Sequence, residues 1–510
     1  VPGLLLGVEG GRYSTKGVLV TAGGEVLASR IIEHTISIPR PGWAEQDADL
    51  IWWGEVRDTI RALLTGTYSG EDVAAVGISA IGACMLPIDG DGNALRPGIL
   101  YGIDTRATTE IESLNAQFGE AALFELGGMA LTSQAIGPKI MWFRQNEPDL
   151  FARSETILTA SSYPVLKLTG ERVMDRHSAS YFNPLFDIRK LEWDSTFADP
   201  IATIDRLPRL LWSDEVAGTV TQWAAEQTGL LAGTPVSAGT IDAAAEALSV
   251  GATQPGDLMV MYGSTMFFIQ VTDHPTPDPR MWCCAYCFDD RFGIEGGMAT
   301  SGALTRWIRD QFARDLIALE NDGGANAYVV LAQEAAASPP GARGLVCLPY
   351  FSGERTPIND PEARGLFAGM SLAHTRGDLY RSVLEGTAYG VRHNIEVMND
   401  MGAAPKRIIA VGGGTRNPLW LQIVSDVTGL PQLVPRQTIG ASYGDAFLAG
   451  LAAGVISDRD EINRTWVDFA AELQPDPAAA AAYEETYEVY RSLYPAISNQ
   501  LHNLARLETS

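Results

Sequence analysis

Asp242 stands where an apolar run, Thr234-Pro235-Val236-Ser237-Ala238-Gly239, gives way to an alanine-rich helical stretch from Asp242 to Val250. An acid at such a junction can take a proton from a substrate hydroxyl, since α/β proteins place reacting groups outside the carboxyl ends of their strands. It can equally cap the helix, a position Asp favours. Two glycine-bearing segments have the composition of phosphate turns. Glu9-Gly10-Gly11-Arg12, with Ser14 and Lys16 after it, offers backbone N–H groups and a cation, and Gly263-Ser264-Thr265 repeats the feature in the second half. Facing hairpins of this kind can grip a triphosphate from both sides, while glycine in a turn also has a purely conformational use. Val411-Gly412-Gly413-Gly414-Thr415-Arg416-Asn417-Pro418 joins an apolar strand to a helix and admits a ligand close to its backbone. It has neither the G-x-G-x-x-G spacing nor a P-loop lysine, so it is not a dinucleotide fingerprint or a Walker site. Asp104, in Tyr101-Gly102-Ile103-Asp104-Thr105-Arg106, raises the same question as Asp242, whereas Asp89-Gly90-Asp91-Gly92-Asn93 lacks the rest of a calcium loop and reads as a turn.

The elements that must hold these residues follow from periodicity. Leu4–Val8, a turn at Glu9–Arg12, Thr15–Val20 and a second turn at Ala22–Glu25 read as strand, turn, strand, turn, strand. Leu50, Trp53, Val56, Ile60 and Leu63 give the stretch Asp49–Leu64 a helical spacing, and Val73–Ser79 is a strand by its Val and Ile content. The same order returns later: strands on either side of Gly263–Thr265 within Asp257–Val271, a strand pair around Asp289-Asp290, and a helix from Gly302. The chain therefore reads as two related halves, 1–250 and 251–510, with the seam at the Gly251–Gly256 break. Tyr483, Tyr487, Tyr490 and Tyr494 recur at helical spacing behind Ala478–Ala482 and are assigned to a packed face.

Composition bounds the function. Across 510 residues, 37 Lys and Arg face 62 Asp and Glu, a formal charge of -25 that repels nucleic acid and anionic lipid, so neither partner is expected. The longest uncharged stretch, Val73–Ile88, falls short of the roughly 20 apolar residues a spanning helix needs. The start, Val1 to Glu9, has no basic region of a secretory signal, and a cytoplasmic location is expected. The 5 cysteines are too few and too odd in number for a disulfide framework. Cys284-Ala285-Tyr286-Cys287 lies in a strand-like run, where residues three apart face opposite ways, and reads as packed thiols.

Taken in order, Pro41-Gly42-Trp43-Ala44-Glu45-Gln46-Asp47, Gly77-Ile78-Ser79, Leu95-Arg96-Pro97, Asp104-Thr105-Arg106, Gly239-Thr240-Ile241-Asp242-Ala243-Ala244, Gly263-Ser264-Thr265, Gly296-Gly297-Met298 and Gly412–Pro418 resemble the FGGY carbohydrate kinases, nearest the xylulokinases. The resemblance covers roughly residues 4–455. It implies an α/β protein of two actin-like (ribonuclease H-like) domains, the first (1–250) sugar-binding and the second (251–510) nucleotide-binding, with ATP and Mg²⁺ in an interdomain cleft. The implied reaction is phosphorylation of D-xylulose; another ketopentose or a polyol of the ribulose, glycerol or erythritol type is the alternative, and a non-catalytic nucleotide- or sugar-responsive protein the alternative from another class. By the same resemblance Asp242 is the general base and touches the sugar with Asp104, and Glu9 holds Mg²⁺. Lys16, Gly263, Ser264, Thr265, Gly302, Gly413, Gly414 and Asn417 would bind the nucleotide. A homodimer is kept as the candidate assembly. Glu9 and Arg12 depart from the family's usual Asp and hydroxyl residue, leaving Arg12 either aimed at phosphate or paired outward with a surface carboxylate. The histidine that xylulokinases carry after Gly-Ile-Ser is absent from Ala80-Ile81-Gly82-Ala83-Cys84.

Overall fold

The structure, a computed structural model, describes residues 3–508. Residues 1–2 and 509–510, the outermost ends of the two expected halves and of the start without a basic region, lie outside the described residues. The chain forms two compact units, and the first is assembled from residues 1–253, 271–293 and 437–468.

In the first unit, three expected strands pair as an antiparallel meander: Leu4–Gly10, Ser14–Val20 and Val26–Glu33. The first of them also lies parallel to Val73–Ala80, which in turn runs parallel to Pro235–Ser237 and Thr240–Ile241. The turn expected at Glu9–Arg12 is shorter than its sequence suggests, because Glu9 pairs with Lys16 and Gly10 with Thr15, which confines the reversal to Gly11–Tyr13. One face of the meander is covered by the helix Val56–Leu63. The helical spacing from Asp49 holds for Trp53, Val56, Ile60 and Leu63, but Leu50 is 72% exposed and Trp52 is buried instead. The cause is local: Ala48–Glu55 is wound as a π-helix, and a wider turn rotates the apolar face by a residue.

The helix Ala441–Ala452 returns to the same unit and packs on the Leu4–Gly10 and Val73–Ala80 strands. Its approach is so close that a Cβ at Gly7 would lie 1.8 Å from the Ser442 carbonyl oxygen, and one at Gly77 2.0 Å from that of Asp445.

The second unit repeats the hairpin. Asp257–Tyr262 pairs antiparallel with Met266–Thr272 and parallel with Arg407–Val411, as the first strand of the chain does with its own neighbours. Gln432–Pro435 and Phe469–Leu473 extend this sheet, and the helices Gly302–Phe312, Arg376–Asp400, Pro418–Thr428 and Pro477–Glu508 belong to the unit. Tyr483, Tyr487 and Tyr490 are buried around Tyr389, as a packed stripe should be. The fold class is the expected one, two α/β domains of the actin-like kind. The five cysteines are all buried, and none of them is in a disulfide. No helix among the described residues is long and apolar enough to cross a membrane.

Candidate active site

Three parallel strand ends in the first unit set Glu9, Ser79 and Thr240 side by side. From Ile241 the chain passes directly into the helix Asp242–Ser249, so Asp242 is its first residue and Ile241 the cap. The capping alternative for Asp242 is not realised: its Oδ1 accepts only the neighbouring Ala243 N–H, at 2.8 Å. One helical turn on, Glu246 shares the face of Asp242 and accepts from the backbone N–H of Ala441. Gly440, at φ 108°, lets the start of the Ala441–Ala452 helix reach both acids. A Cβ there would lie 3.5 Å from Glu246 Oε2 and 3.6 Å from Glu9 Oε2. Asp445, on that helix and wholly buried, accepts the Ser79 hydroxyl at 2.8 Å and keeps its other oxygen without a hydrogen-bond partner.

Four carboxyl groups are thus gathered with one cation, Lys16, whose Nζ stands 3.9 Å from Glu9 Oε2. That Glu9 oxygen is buried and has no hydrogen-bond partner. Burial, and then the Glu9 charge, push Asp242 up to about 8 and Glu246 to about 7. Burial raises Glu9 as well, and lifts Asp445 well above the carboxylate range. A carboxyl group raised by folding holds its proton more tightly in the folded chain, so stability is lost as pH climbs from the ordinary carboxylate range towards the raised value. The metal-free protein is therefore expected to melt at progressively lower temperature from about pH 5 to about pH 8, and Asp242→Asn to flatten that slope. Melting curves in chelator that stay level or rise across this range would contradict the arrangement.

Asp104 lies in a different environment of the same unit. Wholly buried, it accepts from the Ala44 N–H at 2.7 Å and from Arg106 through Nε (2.9 and 3.0 Å) and Nη2 (2.6 Å). Arg106 in turn sits 3.9 Å from the Trp43 ring and 4.9 Å from the Trp142 ring, with Nη1 2.8 Å from Glu45. Below the loop the buried Lys139 donates to the carbonyls of Leu100 (2.6 Å) and Tyr101 (2.8 Å), and burial lowers it to about 8. Both Asp104 oxygens are committed to protein.

At the first hairpin Arg12 has no carboxylate partner among the described residues: its guanidinium lies 5.0 Å over the Tyr13 ring and its Nε is buried without a hydrogen bond. The outward ion pair is not formed. In the second unit the Gly263 and Ser264 carbonyls accept from the N–H groups of Gly302 and Ala303, each at 3.0 Å. A Cβ at Gly302 would meet the Gly263 carbonyl oxygen at 2.4 Å, so that glycine is required by close packing, and its amide is spent on the hairpin. Ser264 is exposed at the tip, with Gly263 and Thr265 half-buried beside it. Gly413 is exposed with open space above its Cα, whereas Gly414 lies against Tyr262 and Trp420. Asn417 caps the following helix through the Trp420 N–H, at 3.3 Å.

The structure thus brings together Glu9, Lys16 and Asp242 in one unit and the glycine turns in the other, with Asp104 held in its own ion cluster. Glu246 and Asp445 were not singled out by sequence. Glu246 had a usable signal, its four-residue spacing from Asp242, while nothing local marks Asp445, which arrives from a remote segment.

The N-terminal domain model of the FGGY family of carbohydrate kinases matches residues 4–249, and the C-terminal domain model matches residues 258–453. The chain belongs to the FGGY family of carbohydrate kinases. It is 30% identical over 499 residues to the xylulose kinase of Escherichia coli strain K12, covering 96% of this chain and 98% of that one. It is also 30% identical over 478 residues to the glycerol kinase of Nocardia farcinica, covering 90% of this chain and 92% of that one. The solved xylulose kinase of Rhodospirillum rubrum superposes with a TM-score of 0.91 at 32% identity, over 98% of this chain and 100% of that one.

Proposed function

We propose that this carbohydrate kinase transfers the γ-phosphoryl group of ATP to D-xylulose, giving D-xylulose 5-phosphate and ADP. The near full-length similarity to xylulose kinases supports the substrate, and the observation that carries the chemistry is Asp242 at a strand-to-helix junction beside Glu9 and Lys16. With Oδ1 tied to Ala243, the other Asp242 oxygen is left for the sugar hydroxyl. That oxygen takes the hydroxyl proton as the sugar oxygen bonds to γ-phosphorus and the bond from phosphorus to the β,γ-bridging oxygen breaks, releasing ADP. A raised pKa makes Asp242 a stronger proton acceptor once ionised, and Lys16 supplies positive charge nearby.

The residues present suit a divalent cation: hard carboxylate oxygens at Glu9 and Glu246 converge on Gly440, and one of them is buried without a hydrogen bond. Glu9 is the residue we assign to Mg²⁺, which when bound supplies charge neutralisation for the phosphates. Residues 1–250 are assigned the sugar and 251–510 the nucleotide, through the tip of Gly263–Thr265 and the open backbone at Gly413. Asp104 serves the sugar site by fixing its loop, since its oxygens are already occupied. The sparse, odd set of five cysteines suits a reducing cytoplasm, and light scattering would test the homodimer.

The similarity to a glycerol kinase gives a second reading, a polyol as acceptor. A coupled ADP-release screen with ATP and Mg²⁺ over D-xylulose, D-ribulose, hexuloses, glycerol and erythritol decides between them. D-xylulose is expected to give the highest kcat/KM. A higher value with glycerol or erythritol would move the assignment to a polyol kinase, and no release with any acceptor would favour a binding protein.

A further inference from the structure

The segment Trp43-Ala44-Glu45-Gln46-Asp47 carries part of the family resemblance, but its residues have no place in the chemistry above. Their contacts differ. Ala44 and Glu45 serve the Asp104–Arg106 cluster, and Asp47 caps the π-helix through the Leu50 N–H at 2.8 Å. Gln46 does something else. It is buried, its Oε1 accepts the Trp52 indole N–H at 2.8 Å, and because an indole nitrogen only donates, this fixes which way the amide points. The Gln46 NH₂ is thereby turned to the Arg12 carbonyl (3.2 Å) and to His34 Nε2 (3.1 Å). His34 Nδ1 meets Glu55 Oε2 at 2.8 Å, and a carboxylate can only accept, so Nδ1 carries the hydrogen and Nε2 is free to accept from Gln46. Glu55 Oε2 also takes the Thr15 hydroxyl at 2.8 Å, just beyond the turn. The Gly11 carbonyl oxygen stands 3.2 Å from the same Nε2, which in this tautomer has no hydrogen to give it.

Two arms from one helical segment therefore converge on the Gln46 amide that donates to the Arg12 carbonyl at the first hairpin tip: Trp52 directly, and Glu55 through His34. Arg12 is the residue they hold. We propose that His34 and Gln46 are positioning residues that fix the Arg12 carbonyl so that the Arg12 N–H and guanidinium are presented to the nucleotide phosphates. This rests on the reading of that hairpin as a phosphate turn. A donor array aimed at phosphate gains most of its value from being held in place before the ligand arrives. The fastened group is a carbonyl, which a phosphate cannot use; the Gly11 N–H is spent on the Ser14 carbonyl at 2.9 Å, and the Arg12 N–H is the one left for a phosphate.

Two substitutions at one position separate this role from ordinary stabilisation. Asparagine places an amide N–H near the position of Nδ1, so His34→Asn keeps the Glu55 bond and gives up the contact with Gln46 that steadies the hairpin. Glutamine reaches the position of Nε2, so His34→Gln keeps the contact with Gln46 and gives up Glu55. Titration calorimetry of MgADP into the intact protein, with melting temperatures measured alongside, reads the difference without requiring any sugar to be phosphorylated. His34→Asn is expected to weaken MgADP binding about tenfold, as for one or two lost hydrogen bonds, and His34→Gln to bind within about threefold of the parent. MgADP affinity unchanged in His34→Asn overturns the inference, as does affinity that follows melting temperature in both variants. A parent protein that binds no MgADP removes the phosphate turn and the inference with it. A parent that binds MgADP but phosphorylates no acceptor removes the proposed reaction alone, and the comparison of variants still decides the role of His34.

Discussion

Asp242→Asn is expected to lower sugar phosphorylation by about 10²–10⁴-fold while nucleotide still binds, because a general base contributes on that scale and the glycine turns do not depend on it. The amide keeps an oxygen for the Ala243 N–H, so the start of the helix should be preserved. It also removes one of four crowded carboxyl groups, so the variant should melt higher than its parent at pH 8 in chelator. Stopped-flow or steady-state ADP release gives the rate, and calorimetry with MgADP gives the binding. Turnover within tenfold of the parent in a folded variant would remove Asp242 from the role of base. Lost nucleotide binding would instead point to a structural defect.

The second large effect is expected on stability. Arg106→Met takes away the guanidinium that lies over both Trp43 and Trp142 and leaves the buried Asp104 with the Ala44 N–H and the Arg106 backbone N–H as its remaining donors. Removing one partner of a buried ion pair costs about 3–5 kcal/mol, far more than the pair itself is worth against an apolar replacement. Denaturant unfolding should show a loss of that order. The double variant Arg106→Met with Asp104→Asn should recover part of it, since the stranded charge is gone. A loss below about 1 kcal/mol for Arg106→Met would mean that the cluster is hydrated and contributes as a surface pair does.

Local pattern carried the hairpins, the strand at Val73 and the junction at Asp242, because strand alternation and the change to a helical, alanine-rich stretch are properties of neighbouring residues. It could not carry Asp445 or the Ser79 bond, whose partners lie 366 positions apart and meet only because Gly7 and Gly77 leave room for a returning helix. The π-wound stretch escaped for a related reason: an 8-residue run with Leu50 and Trp53 fits an ordinary helix equally well, and only the packed Trp52 distinguishes the two. Asp104 was legible as a motif residue, but its commitment to Arg106 was not, since an aspartate looks the same whether it faces a ligand or a buried guanidinium. The Trp43–Asp47 segment was visible as a resemblance without a job. The job became visible only in the bonds that each side chain makes.

The returning helix also bears on how the protein is born. On the ribosome the strands Leu4–Gly10 and Val73–Ala80 emerge with one face bare, and the Ala441–Ala452 segment that covers Gly7 and Gly77 follows more than 350 residues later. At about 5–20 residues per second that interval lasts from tens of seconds to about a minute. The nascent chain must therefore carry a half-covered sheet and an unfinished carboxylate cluster through most of its synthesis, and the unit that is first to leave the exit tunnel stays unfinished until its last segment, residues 437–468, has been made.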